Sequence, residues 1–321
     1  MILPFGLRLV ALALAAGFLV NAGLSLAAWA AAPLAIRRAG SMKARSAGRL
    51  LLGLRLVPAA AAVLFVAVWC VPGYFWLEQP GPERVSLVCL AAAALGFAAS
   101  AAAAVRACGA LARSAQRWRG WRAAGRRVLL PGEPGPVWVV ETPGPVVALA
   151  GILRPHMVVA RTVIGVLSPD ELASALRHER AHSNSRDNLK RLAVMLAPPL
   201  LPGWCVLHPI EQAWLSFAEW AADDRAAEGS DSKALSLASA LVRLARMKAG
   251  PPVPELAISL LGASGEVGAR VERLLAGAPE SEPDASRAAH YGWLLWAGVA
   301  MVILQPVALL WAHDLLERLA G

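Results

Sequence analysis

Long apolar runs constrain what this chain can fold into more than any other feature of its sequence. Residues 9–36 are apolar except for Asn21 and Ser25, and this run exceeds the roughly 20 residues that a helix needs to cross a hydrocarbon core. It is also longer than the apolar region of a signal peptide, which has roughly 7 to 15 residues. We therefore expect a first transmembrane helix in which Asn21 faces another helix rather than lipid.

Three further apolar runs predict additional spans, at residues 56–77, 85–105 and 293–311. The composition agrees, because 57% of the residues are hydrophobic and only 17% are charged, whereas an ordinary soluble domain is less apolar and more charged. The four cysteines lie far apart without a CxxC pair, which argues against a disulfide framework or a cysteine metal site. The predicted fold class is an integral membrane protein, mainly α, with about four transmembrane helices.

The distribution of charge predicts how these helices are oriented. Residues 37–55 include six basic residues and no acidic one, and residues 106–127 include seven arginines and no acidic residue. Short loops rich in Lys and Arg stay on the cytoplasmic side. We therefore predict a multi-pass protein of a bacterial-type inner membrane, with both termini extracytoplasmic. The net charge of +9 is concentrated beside the apolar runs, which favours contact with the lipid bilayer over direct binding of nucleic acid.

A cytoplasmic α+β domain is predicted between the third and fourth spans. Residues 131–136 form a Pro/Gly cluster typical of a linker, and the β-branched runs at 137–140 and 157–160 predict strands of a small sheet. The predicted organisation is three transmembrane helices with a basic cytoplasmic loop at residues 1–105, the cytoplasmic domain at 106–290, and a fourth helix with a short extracytoplasmic tail at 291–321.

The start of one helix in this domain can be predicted closely. Ser168 can cap the helix, Pro169 suits its first position, and Glu171 completes a capping box. Within this helix, residues 178–182 read His-Glu-Arg-Ala-His, which is the HExxH pattern. The pattern therefore lies on a helix, as its chemistry requires.

The HExxH pattern predicts a metal site. Residues i and i+4 of a helix share one face, so the imidazoles of His178 and His182 can bind one ion while Glu179 projects beside it. A catalytic zinc ion needs three protein ligands and an open position. Glu219 can supply the third ligand from a second helix, and Asp223, one turn later, can accept the free N–H of a ligand histidine. We predict one Zn²⁺ per chain, with Glu179 as the catalytic general base.

The apolar segment at residues 192–210 contains four prolines. A single crossing would leave Glu219 on the opposite side of the membrane from the histidines. Crossing and returning needs about 40 residues, whereas residues 183–218 number only 36. The segment is therefore expected to stay on one side, as a packed helical hairpin or as a shallow dip into the bilayer.

Two further residues are weaker candidates for the site. His208 could donate to the oxyanion of a tetrahedral intermediate, or it could be a local structural histidine before Pro209. Arg270, in a helix-like segment, could contact a substrate carbonyl or pair with an acid. The substrate itself is expected to lie extended along a strand of the 137–160 region, at the edge of the sheet.

These motifs resemble those of integral-membrane zinc metallopeptidases of the BlaR/MecR type. The resemblance rests on the HERAH helix followed by Arg-Asp-Asn at 186–188, on the run 206–210, and on Glu-Trp-Ala-Ala-Asp-Asp at 219–224. Three spans before and one span after a cytoplasmic protease domain are also similar. The resemblance implies a zincin-like fold of the gluzincin kind. It matches the zinc ligands to His178, His182 and Glu219, the general base to Glu179, and the acid that supports a ligand to Asp223.

The resemblance implies a zinc metalloendopeptidase that hydrolyses peptide bonds at the cytoplasmic face in regulatory proteolysis, for example of a DNA-binding repressor. The beta-lactam receptors of this type carry a penicillin-binding sensor domain after the last span, which this sequence lacks, so direct sensing of the antibiotic is not expected. One alternative is a quality-control protease of the HtpX type, which shares HExxH and a later Glu-x-x-x-Asp. Another is a non-catalytic membrane signalling scaffold. Expected partners are the lipid bilayer and a protein or peptide substrate, with a homodimer as a further candidate.

Overall fold

A computed structural model describes residues 2–77, 83–131, 133–142, 144–201, 203–247, 258–259 and 267–277. This part of the chain is mostly helical and includes a small mixed sheet. The predicted fourth span at 293–311 and the tail that follows it lie outside the described residues.

Three stretches of helix within the described residues are long and apolar enough to cross a membrane. The first three predicted spans are therefore confirmed as long apolar helices. In chain order, the elements that form them are α1 (Phe5–Gly40), α2 (Ala44–Phe65), a π-helical turn (Val66–Cys70), α3 (Val71–Leu77) and α4 (Leu87–Ala124). Asn21 and Ser25 of α1 are buried, so Asn21 packs inside the protein, as predicted.

Helix α4 continues well past its apolar part. Its 38 residues correspond to about 57 Å at 1.5 Å per residue, compared with about 30 Å for a hydrocarbon core. The first arginines of the 106–127 stretch extend this helix because arginine is a good helix former. The predicted boundary between residues 105 and 106 falls inside α4.

The part of the chain after α4 forms a sheet with five strands among the described residues. They are β3 (Arg126–Val128), β4 (Val137–Val140), β5 (Val147–Ala150), β6 (His156–Ala160) and β7 (Ile258–Ser259). The spatial order is β3-β4-β6-β5-β7, in which β4 and β6 are parallel and the other neighbours are antiparallel. A separate short pair joins β1 (Ile2–Leu3) to β2 (Glu83–Arg84).

Strands β4 and β6 confirm the two strands predicted from sequence, and β6 begins one residue earlier than expected. The prediction of a linker at residues 131–136 is wrong. These residues belong to the connection between β3 and β4, which are antiparallel neighbours. A Pro/Gly cluster ends a strand equally well in a hairpin and in a linker, so its composition alone does not separate the two.

Six helices complete the described part of the chain after α4. They are α5 (Arg161–Val166), α6 (Pro169–Ser185), α7 (Asp187–Leu196), α8 (His208–Ala227), α9 (Asp231–Arg246) and α10 (Val267–Ala276). Helix α6 begins as predicted, because the Ser168 hydroxyl accepts from the Glu171 N–H at 3.3 Å and the Glu171 carboxylate accepts from the Ser168 N–H at 2.8 Å. One hydrophobic core joins the sheet to α6 and α9, with Val158, Leu176 and Leu241 at its centre.

A second core joins the membrane helices to the segment between α7 and α8. Val206, Leu207 and Ile210 are buried against residues of α1 and α2 such as Ala28 and Leu51. The proline-containing segment therefore packs on the α1–α2 hairpin. The chain then returns along α8 to the HExxH helix, which confirms that this segment does not strand Glu219 away from the histidines.

Candidate metal centre

Helices α6 and α8 pack together and bring four of the predicted residues to one point. His178, Glu179 and His182 lie on α6, Glu219 lies on α8, and each is at most 3% exposed. Nitrogen and oxygen atoms of His178, His182 and Glu219 lie within 4.8 Å of one another. The spacing read from sequence therefore does place the two histidines and the distant glutamate side by side.

The distances between these atoms fit the ligand shell of a small metal ion. The two Nε2 atoms of His178 and His182 are 3.1 Å apart. The Glu219 carboxylate oxygens lie 3.4 Å from Nε2 of His178 and 3.6 Å from Nε2 of His182. Ligands of a tetrahedral zinc ion with bonds of about 2.0–2.1 Å are about 3.4 Å from one another. The three side chains are therefore spaced as three zinc ligands would be.

Buried acceptor atoms without donors also point to a cation at this place. Both carboxylate oxygens of Glu179 and both of Glu219 are buried and accept no well-formed hydrogen bond from the described residues, although Nη1 of Arg270 lies 3.2 Å from Glu219. Burying such oxygens without a partner is costly, and a bound cation removes that cost. Burial raises the pKa of the Glu179 carboxyl well above its usual range, and the neighbouring charge of His182 opposes this rise. Once ionised, Glu179 is therefore a stronger base than an exposed glutamate.

Each histidine is oriented by a different aspartate. Asp223, one turn after Glu219 on α8, lies 2.9 Å from Nδ1 of His178. Asp187, at the start of α7, lies 2.8 Å from Nδ1 of His182. A carboxylate on Nδ1 fixes the tautomer in which Nε2 has a free lone pair for a metal. Both Nε2 atoms therefore face the same point.

Asp187 is the supporting residue that the sequence reasoning missed. Arg186 has φ 54° and ψ 41°, a left-handed conformation that ends α6 and reverses the chain into α7. This turn brings Asp187 back against His182, although it lies outside the helix that carries the histidine. Burial opposes ionisation of Asp187, but its hydrogen bond with His182 and the charge of Lys190 hold its pKa below the usual range. An acid five positions after the second histidine of HExxH was the available signal.

Arg270 pairs with the acids of the site. Its guanidinium, 1% exposed, donates to the Asp223 carboxylate through Nε at 2.9 Å and Nη2 at 2.7 Å, and Nη1 lies 3.2 Å from Glu219. Burial alone would lower the pKa of Arg270, but Asp223 and Glu219 raise it above its usual range. Arg270 is therefore an ion-pair partner of these acids in the structure and joins α10 to the candidate metal centre, while a contact with substrate stays a prediction.

His208 does not reach the site. It is the first residue of α8 and is exposed. Eleven residues separate it from Glu219 on the same helix, which corresponds to about 16 Å along the axis. The prediction of an oxyanion or substrate contact at His208 is not supported by this position, which agrees better with the alternative of a local histidine before Pro209.

The edge of the sheet beside α6 is partly paired with another strand of the same chain. Strand β5 packs on α6, and its outer edge pairs with β7 at Ala148 and Leu149. The remaining edge strand, β3, is three strands away from β5, about 14 Å at the usual strand spacing. A substrate that adds to the sheet next to the histidines must therefore share the edge of β5 with β7.

A cavity of about 280 Å³ opens beside His182. Its walls include apolar side chains from the sheet edge and the following turn, namely Leu149, Ile152 and Leu153. Asn188 lines its inner end and holds the turn by donating to the carbonyl of Gly151 at 2.6 Å. Its side-chain oxygen is buried and has no hydrogen-bond partner among the described residues. The cavity thus offers apolar walls and one acceptor next to a candidate ligand.

Residues 119–247 match the sequence model of peptidase family M48. The match covers about two fifths of the chain and contains the whole cluster on α6 and α8 together with four strands of the sheet. It supports a metallopeptidase domain in this segment, since peptidases of this family are generally metal-dependent. No curated protein and no solved structure matches the chain. The more specific resemblance to the BlaR/MecR type stays a prediction.

Proposed function

We propose that the chain is a membrane-embedded zinc metalloendopeptidase whose metal ligands are His178, His182 and Glu219. The observation that carries the proposal is the spacing of these three buried ligand atoms, which fits one tetrahedral ion. The match of residues 119–247 to a peptidase family supports the same conclusion. Two imidazoles and one carboxylate form a donor set that zinc uses in catalytic sites, where a fourth position stays open.

The chemistry follows from the positions of the side chains. Zinc bound here would supply Lewis-acid activation of the scissile carbonyl and of the attacking water. Glu179 lies beside the ligands in a water-poor environment, and we assign it the general base that takes the proton of that water and returns it to the leaving amine. Asp223 and Asp187 keep the two imidazoles in the metal-binding tautomer. Arg270 balances the negative charge of Glu219 and Asp223.

The substrate is proposed to be an extended polypeptide with an apolar side chain near the scissile bond. The cavity beside His182 has Leu149, Ile152 and Leu153 in its lining, together with the charged residues Arg186 and Asp187. The three apolar side chains would favour an apolar side chain of the substrate. Pairing with β5 would add the main-chain hydrogen bonds that give such complexes their affinity.

The proposed cellular role is regulatory proteolysis at the cytoplasmic face, with a DNA-binding repressor as one candidate substrate and a second copy of the chain as a candidate partner. The support for this role is the resemblance to the BlaR/MecR type and the arginine-rich stretches at residues 37–55 and 106–127, which favour a cytoplasmic site. The three apolar helices support membrane insertion.

The test of the enzymatic proposal is Glu179→Gln. The amide keeps the shape of the side chain and is not a metal ligand, so zinc content should stay near one per chain while peptide hydrolysis falls by at least about 100-fold. The two measurements are metal analysis of the purified protein and cleavage of an apolar peptide library. Glu141→Gln, the same change at an exposed acid, is the matched control and should keep the parent rate.

Two results would contradict the proposal. One is a Glu179→Gln variant that hydrolyses peptides as fast as the parent. The other is a parent protein that purifies without metal under conditions that preserve metal sites. A chain that binds zinc but shows no hydrolysis in either form would favour the non-catalytic scaffold.

A further inference from the structure

A second cavity, of about 240 Å³, lies on the other side of Asp187. It is enclosed by the start of α2, the end of α6, the start of α7 and the middle of α8. Four basic side chains line it, and we name it the cationic cavity after them: Arg45, Arg49, Lys190 and Arg225. No part of the proposed hydrolysis uses these four side chains.

The charge of the cationic cavity favours an anion. Among the residues that line it, Asp187 is the one acid, and its carboxylate is already engaged by Lys190 at 2.7 Å and by His182. Helix α2 has no acidic residue in its first turn, so the partial positive charge of its N-terminus adds to that of the arginines. Arg45 and Arg49 lie one turn apart and are exposed, so both guanidinium groups can reach one phosphate.

Part of the lining of the cationic cavity is apolar. It is formed by Leu52 of α2 and by Trp214 and Phe217 of α8, and the two aromatic residues are buried. A free phosphate ion would make no favourable contact with these apolar side chains. A phosphodiester with a glycerol and acyl chains attached would contact both the arginines and the aromatic rings.

The position of the cationic cavity along α2 fits the depth of a lipid headgroup. Arg45 and Arg49 belong to the first two turns of a helix, Ala44–Phe65, that forms most of the second candidate span. Basic residues at the end of a span lie at the level of the phosphates, on the cytoplasmic side by the rule of basic loops. Anionic lipids of that leaflet attract such residues.

We propose that the cationic cavity binds the headgroup of an anionic phospholipid from the cytoplasmic leaflet. The phosphate contacts Arg45 and Arg49, and the glycerol and the first acyl carbons pack against Trp214 and Leu52. Lys190, which borders the same cavity, is hydrogen-bonded to Asp187, and Asp187 to His182. The bound lipid therefore lies next to Asp187, the carboxylate that orients a candidate metal ligand and that also lines this cavity.

The experiment titrates the purified full chain with phosphatidylglycerol in a non-ionic detergent and counts bound lipids by native mass spectrometry. The test variant is Arg45→Gln/Arg49→Gln, and the matched control is Arg37→Gln/Arg38→Gln, which removes two exposed arginines from the last turn of α1, outside the cavity. We expect one tightly bound lipid per parent chain, a loss of affinity of about 30-fold in the test variant, and a loss of less than about twofold in the control.

A second variant separates the cavity from the surface charge. Ala221→Phe fills the space between the helices without changing the net charge, and it should also abolish the tightly bound lipid. The fluorescence melting curve of each variant checks that it is folded. Because the readout is lipid binding, it is independent of peptidase activity, and a failure of the proposed function would leave this result unchanged.

Three outcomes would overturn the proposal. Equal loss in the two arginine double variants would mean diffuse attraction to the basic loop. Equal affinity for phosphatidylcholine would mean that the headgroup charge is not recognised. Competition by glycerol phosphate at the concentration of the lipid would mean that the cavity binds a soluble phosphate ester and not the membrane.

Discussion

At the scale of single residues, the candidate site depends on two layers of side chains that differ in how readily sequence reveals them. His178, His182 and Glu179 follow from the periodicity of one helix, because i and i+4 share a face. Asp223 follows from the same argument on a second helix. Asp187 does not, since its contact with His182 depends on the left-handed conformation of Arg186, which no local pattern predicts.

The first residue-scale prediction concerns Asp187 and metal affinity. In Asp187→Asn, the amide oxygen is a weaker acceptor for Nδ1–H of His182, so the imidazole is less basic and less well oriented. We expect zinc affinity to fall about 10- to 100-fold, measured by competition with a chelator of known affinity. Asp223→Asn should lose affinity in the same range through His178.

The control for this prediction is Asp224→Asn. Asp224 is next to Asp223 but faces Arg273 at 2.6 Å and touches neither histidine in the described structure. Its variant should keep parent affinity. If Asp187→Asn also kept it, the hydrogen bond to His182 would have no role in metal binding.

At the scale of elements, the features that the sequence predicted correctly are those set by local interactions. The capping box at Ser168 and Glu171 fixed the start of α6 to the residue, because both hydrogen bonds are local. The short β-branched runs of β4 and β6 were found for the same reason. Strand β7 was not predicted, because its pairing with β5 joins residues more than a hundred positions apart, and such pairing leaves no trace in a two-residue segment.

The element-scale prediction concerns this pairing. If substrate adds to the outer edge of β5, then β7 competes with it, and KM reflects the fraction of molecules in which the edge is free. Ile258→Pro/Ser259→Pro removes both backbone N–H groups of β7. We expect KM for a peptide substrate to fall, on the order of threefold or more, with kcat near the parent value.

The measurement is a steady-state titration of the double proline variant against the parent and against Ile258→Ala/Ser259→Ala, which keeps the backbone donors. An unchanged or increased KM in the proline variant alone would show that substrate does not use the part of β5 that β7 covers.

At the scale of the whole molecule, the membrane hairpin and the candidate peptidase share one packed core. Arg55 of α2, 3% exposed, donates to the carbonyl of Val194 at 3.1 Å and pairs with Glu211 of α8 at 3.5 Å. Since α8 also carries Glu219, the second apolar helix and the candidate metal centre are joined through α8. The sequence predicted the apolar helices and the peptidase domain but not the contact between them. This contact buries Arg55, which the sequence analysis counted among the charges of a loop, and part of the apolar run at residues 206–210.

The whole-molecule prediction is the topology. The pairing of β1 with β2 puts residues 2–3 and 83–84 next to each other, so the N-terminus and the loop between the second and third helices lie on one side of the protein. The thirteen basic residues of stretches 37–55 and 106–127 favour the cytoplasm for the opposite side. Reporters inserted at residue 42 or after Arg127 should therefore be cytoplasmic. Reporters inserted within residues 79–81 or fused after Gly321 should be extracytoplasmic, the latter through the predicted fourth span.

Alkaline phosphatase and green fluorescent protein fusions measure the two sides separately. If the fusions after Arg127 and Gly321 lay on the same side, the fourth span would be removed from the topology. If the insertion at residue 42 were extracytoplasmic, the whole orientation would be inverted, and the proposed metal centre would face away from any cytoplasmic substrate.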